Sequence, residues 1–161
     1  PDRSGFSRDY RRYIMSFDRR MALQETSLNA LRIVAGFLFW QHGAQKLFGW
    51  FGGSQVESLI SLTGAAGVLE FFGGILITLG LFTRVSAFVV AGEMAVAYFM
   101  RHVGGAETLE AKIFAVMNGG ERAALFCFIF LLLVAYGPGR VSVDGRLATR
   151  RAASAERASG R

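Results

Sequence analysis

Residues 62–82 read LTGAAGVLEFFGGILITLGLF, an apolar run that carries one charge, Glu70, near its middle. A run of that length and composition is a membrane-span candidate, because a helix needs ~20 apolar residues to cross the hydrocarbon. A carboxylate at that depth costs about 3 kcal/mol on insertion scales and more in simulations. Glu70 must therefore be protonated, paired or hydrated, and each state makes it a functional candidate. The next run, 85–100 (VSAFVVAGEMAVAYFM), repeats the pattern with a single charge at Glu93.

Two further apolar runs flank these, 28–51 (LNALRIVAGFLFWQHGAQKLFGWF) and 123–137 (AALFCFIFLLLVAYG). The expected fold is all-α, a four-helix transmembrane bundle with short interfacial helices. Residues 1–26 form a basic polar segment, 27–139 the membrane domain and 140–161 a basic tail. The third and fourth runs are short and reach across a bilayer only with help from their flanks. Only Thr83-Arg84 separates the second run from the third, which predicts a tight hairpin there. Pro138 between Gly137 and Gly139 ends the fourth helix, since proline cannot continue it. Residues 107–117 carry Leu109, Ile113, Phe114, Val116 and Met117 at helical spacing and predict a short helix on the outer interface. Tyr13, Ile14, Phe17 and Met21 suggest a similar helix on the inner surface.

Charge sets the orientation. Fourteen Lys and Arg fall on the side of the two termini and the Thr83-Arg84 turn, and four (Lys46, Arg101, Lys112, Arg122) on the other. The positive-inside rule makes both termini cytoplasmic, with 52–61 and 101–122 outside. The first 26 residues lack an apolar signal core, so the first span is expected to act as its own insertion signal. The net charge of +6 does not point to nucleic acid, because the arginines flank apolar segments instead of lining a groove. With Cys127 alone, neither an intramolecular disulfide nor a Cys-x-x-Cys pair exists.

Depth follows from the 1.5 Å rise per residue. From Leu28, Arg32 lies ~6 Å in, His42 ~21 Å and Lys46 ~27 Å. Glu93 lies ~12 Å from Val85, and Glu70 ~12 Å from Leu62 at the opposite surface. Two buried clusters are thereby expected: an inner ion pair Arg32–Glu93, and an outer group of Glu70 with Lys46 and His42. Gly67, Gly73 and Gly74 share the Glu70 side of their helix, and Gly36 and Gly43 the Arg32 side of the first. Small residues let membrane helices approach closely, so the polar faces are also the packing faces. His42 and His102 lack metal-ligand spacing, and no metal site is expected. Nucleophile-elbow, phosphate-loop and dinucleotide patterns are absent from the sequence.

HGAQKLFGWFGG (42–53), with Arg32 ten residues upstream, resembles the first-helix signature of the DoxX family. ExxGGILITLGLFTR (70–84), GEMAVAYF (92–99), NGGERA (118–123) and GPGRVSVD (137–144) resemble its remaining blocks in order. The matching positions are Arg32, Gly43, Lys46, Glu70, Gly73, Gly74, Gly80, Arg84, Glu93, Glu121, Gly137, Gly139 and Asp144. The resemblance implies a four-helix protein of a bacterial-type inner (cytoplasmic) membrane. It is similar to small membrane subunits associated with quinol or thiosulfate–quinone oxidoreductases. It carries over no catalytic residue.

The expected function is that of a small membrane subunit of a redox or energy-transducing complex, mainly structural and near a quinone site. A second class is a quinone-reactive subunit in which Glu70 and His42 exchange protons. A third is a small-solute or lipid transporter built on the same polar core. A non-catalytic subunit is favoured over an enzyme. No intrinsic cofactor is expected, and a quinone or a bound lipid is the ligand class the core admits. The expected partners are other membrane subunits and anionic lipids.

Overall fold

The computed structural model describes the backbone of residues 3–159 and the side chains of residue 15 and residues 17–158. Helix α1 runs unbroken from Arg3 to Phe48. No proline or glycine interrupts residues 6–35, and nothing there stops a helix. At 1.5 Å per residue α1 is ~69 Å long, more than twice a ~30 Å hydrocarbon core. The N-terminal segment is thus continuous with the first span and is not a separate element. Of the four apolar residues read as its face, Tyr13 and Ile14 lie outside the described side chains, while Phe17 and Met21 are exposed. Gly49, in the left-handed region at φ 67°, stops α1.

Helix α2 spans Leu62–Leu79, with Ser61 as its N-cap accepting from the Gly64 amide. Helix α3 spans Thr83–Ala97 and continues as a π-helical turn over Tyr98–Val103. That extension gives the third apolar run 21 helical residues, enough to cross a membrane. After it come two short helices, α4 (Leu109–Ile113) and α5 (Ala115–Asn118). Helix α6 spans Glu121–Tyr136 and ends at Gly137, φ 86°, before Pro138. Helix α7, Val143–Ser159, makes up most of the basic tail. Among the described residues there is no strand.

Two details depart from the sequence reading. The α2–α3 connection is Gly80–Phe82, and Thr83 and Arg84 already belong to α3. Gly80 at φ 69° closes α2 early, and Leu81 N then donates to Leu76 O at 2.9 Å. The outer excursion is two helices broken at Phe114, not one. Asn118 folds it back, donating from Nδ2 to Ala111 O at 2.7 Å while its carbonyl meets His102 Nδ1 at 2.9 Å. Leu109, Ile113, Phe114, Val116 and Met117 all stay exposed there.

The bundle forms by two close pairings, α1 with α2 and α3 with α6, joined by α2 against α3. Glycines set the first. A Cβ at Gly36 would come within 2.6 Å of Thr78 Oγ1, one at Gly43 within 2.6 Å of Phe71 Cα, and one at Gly74 within 2.7 Å of Trp40 Cα. Gly73 lies instead against Val90 of α3. The two pairings meet at Phe39, fully buried, whose ring lies 4.7 Å from Phe130 and 5.3 Å from Phe126 of α6. Ile77, Val90, Met94 and Leu133 complete this apolar centre.

Candidate functional site

Polar groups collect at two levels. The first lies part-way along the bundle. Lys46, in the last turn of α1, donates to Glu70 Oε1 at 2.5 Å. Gly67 of α2 makes the approach possible, since a Cβ there would sit 3.0 Å from Lys46 Cβ. The Glu70 side chain is 3% exposed and that of Lys46 27%, so the base reaches inward from a wetter position. Glu93 of α3 lines the same groove as Lys46. The second carboxylate oxygen of Glu70 and that of Glu93 are buried without a hydrogen-bond partner. One ammonium thus pairs with Glu70 and shares a groove with the second carboxyl, Glu93. The group is electrically balanced when one carboxyl holds a proton. His42 makes no hydrogen bond among the described residues; its ring packs edge-on to Phe126 at 6.1 Å. It is not a bonded member of the cluster.

Beside this cluster is a groove between α2 and α3 of about 310 Å³. Lys46 and Glu93 border it, Arg101 stands at its outer end, and Leu69, Val89, Val96 and Met100 supply an apolar wall. Its lining residues Leu69, Val89, Val96 and Met100 are also exposed on the flank of the bundle, so the groove opens sideways.

The second level is the end where α2 turns into α3. Arg32, 1% exposed, does not pair with Glu93. Its guanidinium donates to the carbonyls of Ile77 (2.7 Å), Thr78 (2.6 Å) and Val141 (2.5 Å). The expected Arg32–Glu93 pair fails because Arg32 is level with the α2 C-terminus. Glu93 lies ten residues, ~15 Å, further along α3. Arg32 instead donates to two carbonyls in the last turn of α2, at the negative end of its dipole, and to one of the following segment.

Residues 137–144 lie across this end as a strap. The Arg140 amide donates to Glu25 Oε2 at 3.1 Å, and the Asp144 amide to Gly80 O at 2.9 Å. The Asp144 carboxylate accepts from Phe82 N (3.0 Å), Thr83 N (2.9 Å) and Thr83 Oγ1 (3.0 Å). It therefore caps α3 from seventeen-residue helix α7, and it holds Phe82 in the left-handed region at φ 48°. Arg84 donates to Val134 O at 2.7 Å and packs on Gly137, while Gly139 rests on Asn29. The sequence reading placed Arg84 in the hairpin and Gly137 and Gly139 at the end of the fourth helix, but gave Gly80 and Asp144 no role beyond their family resemblance. The one available signal was a Gly-Pro-Gly stop followed closely by a helix-capping acid.

Two relatives place the chain. An uncharacterized protein of Haemophilus influenzae is 40% identical over 127 residues, covering 72% of this chain and 87% of its own. Inner membrane protein YqjF of Escherichia coli is 30% identical over 129 residues, covering 76% of this chain and 92% of its own. The family model described as DoxX matches residues 27–103. The chain belongs to the DoxX family. This DoxX protein is a membrane protein. No solved structure matches it.

The DoxX match takes in Arg32, Lys46, Glu70 and Glu93 and stops before α4, so the strap that completes the turn lies beyond it. Apart from Gly74, which packs on Trp40, and Glu121, which begins α6, the positions noted for their resemblance to DoxX divide between the two levels. Lys46, Glu70 and Glu93, with Gly43 and Gly73 nearby, belong to the cluster and its packing. Arg32, Gly80, Arg84, Gly137, Gly139 and Asp144 belong to the strapped turn.

Proposed function

We propose that this DoxX protein spans a bacterial inner membrane four times, with both termini cytoplasmic, as a small subunit of a redox assembly. Within it, Lys46, Glu70 and Glu93 form a proton-exchanging site for a quinone-class ligand held in the α2–α3 groove. The observation that carries this reading is the unmatched pair of carboxylate oxygens beside an apolar groove that opens on the flank of the bundle. A quinone ring and short tail suit the apolar wall, and its carbonyl oxygens accept from Lys46 or from a protonated carboxyl. Reduction of a quinone to a quinol consumes two electrons and two protons. Electrons come from a partner subunit bearing a redox cofactor, and the carboxyls deliver protons and refill from water. The inner-membrane placement is supported by the name of the Escherichia coli relative, and the orientation by the distribution of Lys and Arg.

Binding of decylubiquinone to the purified protein in nanodiscs tests the site. Val96→Trp fills the groove and should abolish binding. Glu93→Gln keeps the shape and should leave binding while removing proton uptake on reduction. Binding that survives Val96→Trp would overturn the assignment. A purely structural subunit is favoured by a separate observation. Residues 145–158 of α7 are almost entirely exposed, as are most of residues 17–27 of α1, which suits docking to neighbours. In that case deletion of 147–161 releases the subunit from its assembly and Glu93→Gln has no effect on turnover.

A further inference from the structure

We propose that the strapped end of the bundle binds a phospholipid, its phosphate on Arg140, Arg146 and Arg150 and an acyl chain along the α1–α6 seam. A hollow of about 280 Å³ is lined by these three arginines with Gly145 and Thr149. Arg146 and Arg150 are i,i+4 neighbours on one face of α7, where like charges repel. None of the three guanidinium groups is in a salt bridge among the described residues. Such a cluster on a helix joined to the membrane domain by a short strap fits a phosphodiester.

What surrounds the arginines selects a lipid over a free anion or a nucleic acid. A second hollow, about 600 Å³, shares Arg140 and is bordered by Asp18, Glu25 and Asn29. These present acceptors, and the Asn29 Oδ1 is buried without a partner. Headgroup donors, the hydroxyls of a glycerol or an ammonium, complement them. A third hollow, about 400 Å³, shares Glu25 and Met21 with the second and runs between Leu28 and Leu31 of α1 and Leu132 and Tyr136 of α6. The order is therefore basic, then accepting, then apolar. A phospholipid presents phosphate, headgroup donors and acyl chain. The α1–α6 seam is thinly packed compared with α1–α2, which leaves room for the chain. This inference is independent of the quinone reading, since the two sites share no residue.

Native mass spectrometry of the whole protein in detergent, delipidated and titrated with dioleoyl lipids, tests it. Phosphatidylglycerol and phosphatidylethanolamine should bind, and phosphatidylcholine, whose headgroup lacks a donor, should bind at least about tenfold more weakly. Arg146→Gln with Arg150→Gln should weaken phosphatidylglycerol at least about tenfold. Leu132→Trp, at an exposed position that narrows the seam, should do the same with helix content unchanged. Equal retention by the double variant would overturn the proposal. So would full displacement by inorganic phosphate with Leu132→Trp ineffective, which would make this a free-anion site. Preference for an RNA oligonucleotide over the lipids would also overturn it.

Discussion

Replacing Arg32 by alanine tests whether the end of α2 depends on a side chain from another helix. The guanidinium serves three carbonyls, those of Ile77, Thr78 and Val141. Ile77 O also receives the Gly80 amide at 3.0 Å and keeps a donor after the substitution. The carbonyls of Thr78 and Val141 lose theirs. A hydrogen bond from a charged group contributes ~1.5–3 kcal/mol, and a buried group left unpaired costs ~1–3 kcal/mol. Two bonds from one group are not additive, and water can reach Val141, which is exposed. The expected loss is therefore about 3–5 kcal/mol, close to what breaking a buried charged interaction costs. Lysine keeps the charge but not the fork, so Arg32→Lys should cost about half as much.

Unfolding of the purified protein by a rising fraction of denaturing detergent in mixed micelles gives the free energies. Limited proteolysis at Arg140 reports the strap separately, because Val141 is one of its anchors. Both readouts should change in Arg32→Ala, with faster cleavage alongside the lower stability. A loss below about 0.5 kcal/mol, within the usual range for a surface substitution, with unchanged cleavage, would refute the reasoning.

Two further substitutions probe the other connections. Asp144→Ala removes an acceptor from Phe82 N, Thr83 N and Thr83 Oγ1 and should cost about 2–3 kcal/mol. Hydrogen exchange at the amides of residues 82 and 83 should rise with it, and unchanged protection there would contradict the capping role. Lys46→Met leaves Glu70 buried without its base and should destabilise by about 3–5 kcal/mol. Adding Glu70→Gln should restore most of that loss in the same detergent titration; a double variant no better than the single one would rule out the pairing.

The helices were legible because each apolar run is bounded by residues that stop helices for known reasons. Gly119 and Gly137 were read as such stops and adopt positive φ, whereas Gly49 and Gly80, also at positive φ, end α1 and α2 inside runs read as continuing to 51 and 82. The Lys46–Glu70 contact was also legible, with Lys46 counted from Leu28 and Glu70 from Leu62 at the opposite surface. Arg32 was misread for a physical reason. Its depth was counted from Leu28 as if Leu28 were level with Val85, whereas Arg32 itself is level with the end of α2, just before the turn into α3. Its partners are backbone carbonyls, which every residue carries and no letter reveals. The strap was hidden in the same way, because Asp144 caps a helix whose first residue lies 61 positions earlier in the chain.

The two polar levels differ in how their charges are partnered, and that difference bears on function more than burial does. At the strapped end, Arg32 and Arg84 are tied to backbone carbonyls and Asp144 to backbone amides, so each of these charges has fixed partners across several segments. Such an arrangement fixes a turn and has little reason to change during a reaction. At the cluster, one ammonium pairs with Glu70 and shares a groove with Glu93, and each acid has an oxygen without a partner. A structural ion pair needs only Lys46 and Glu70. Glu93 adds a second acid in apolar surroundings where any charge is costly. On the function proposed above, its place beside a groove that opens on the flank of the bundle supplies a group that gains and loses a proton.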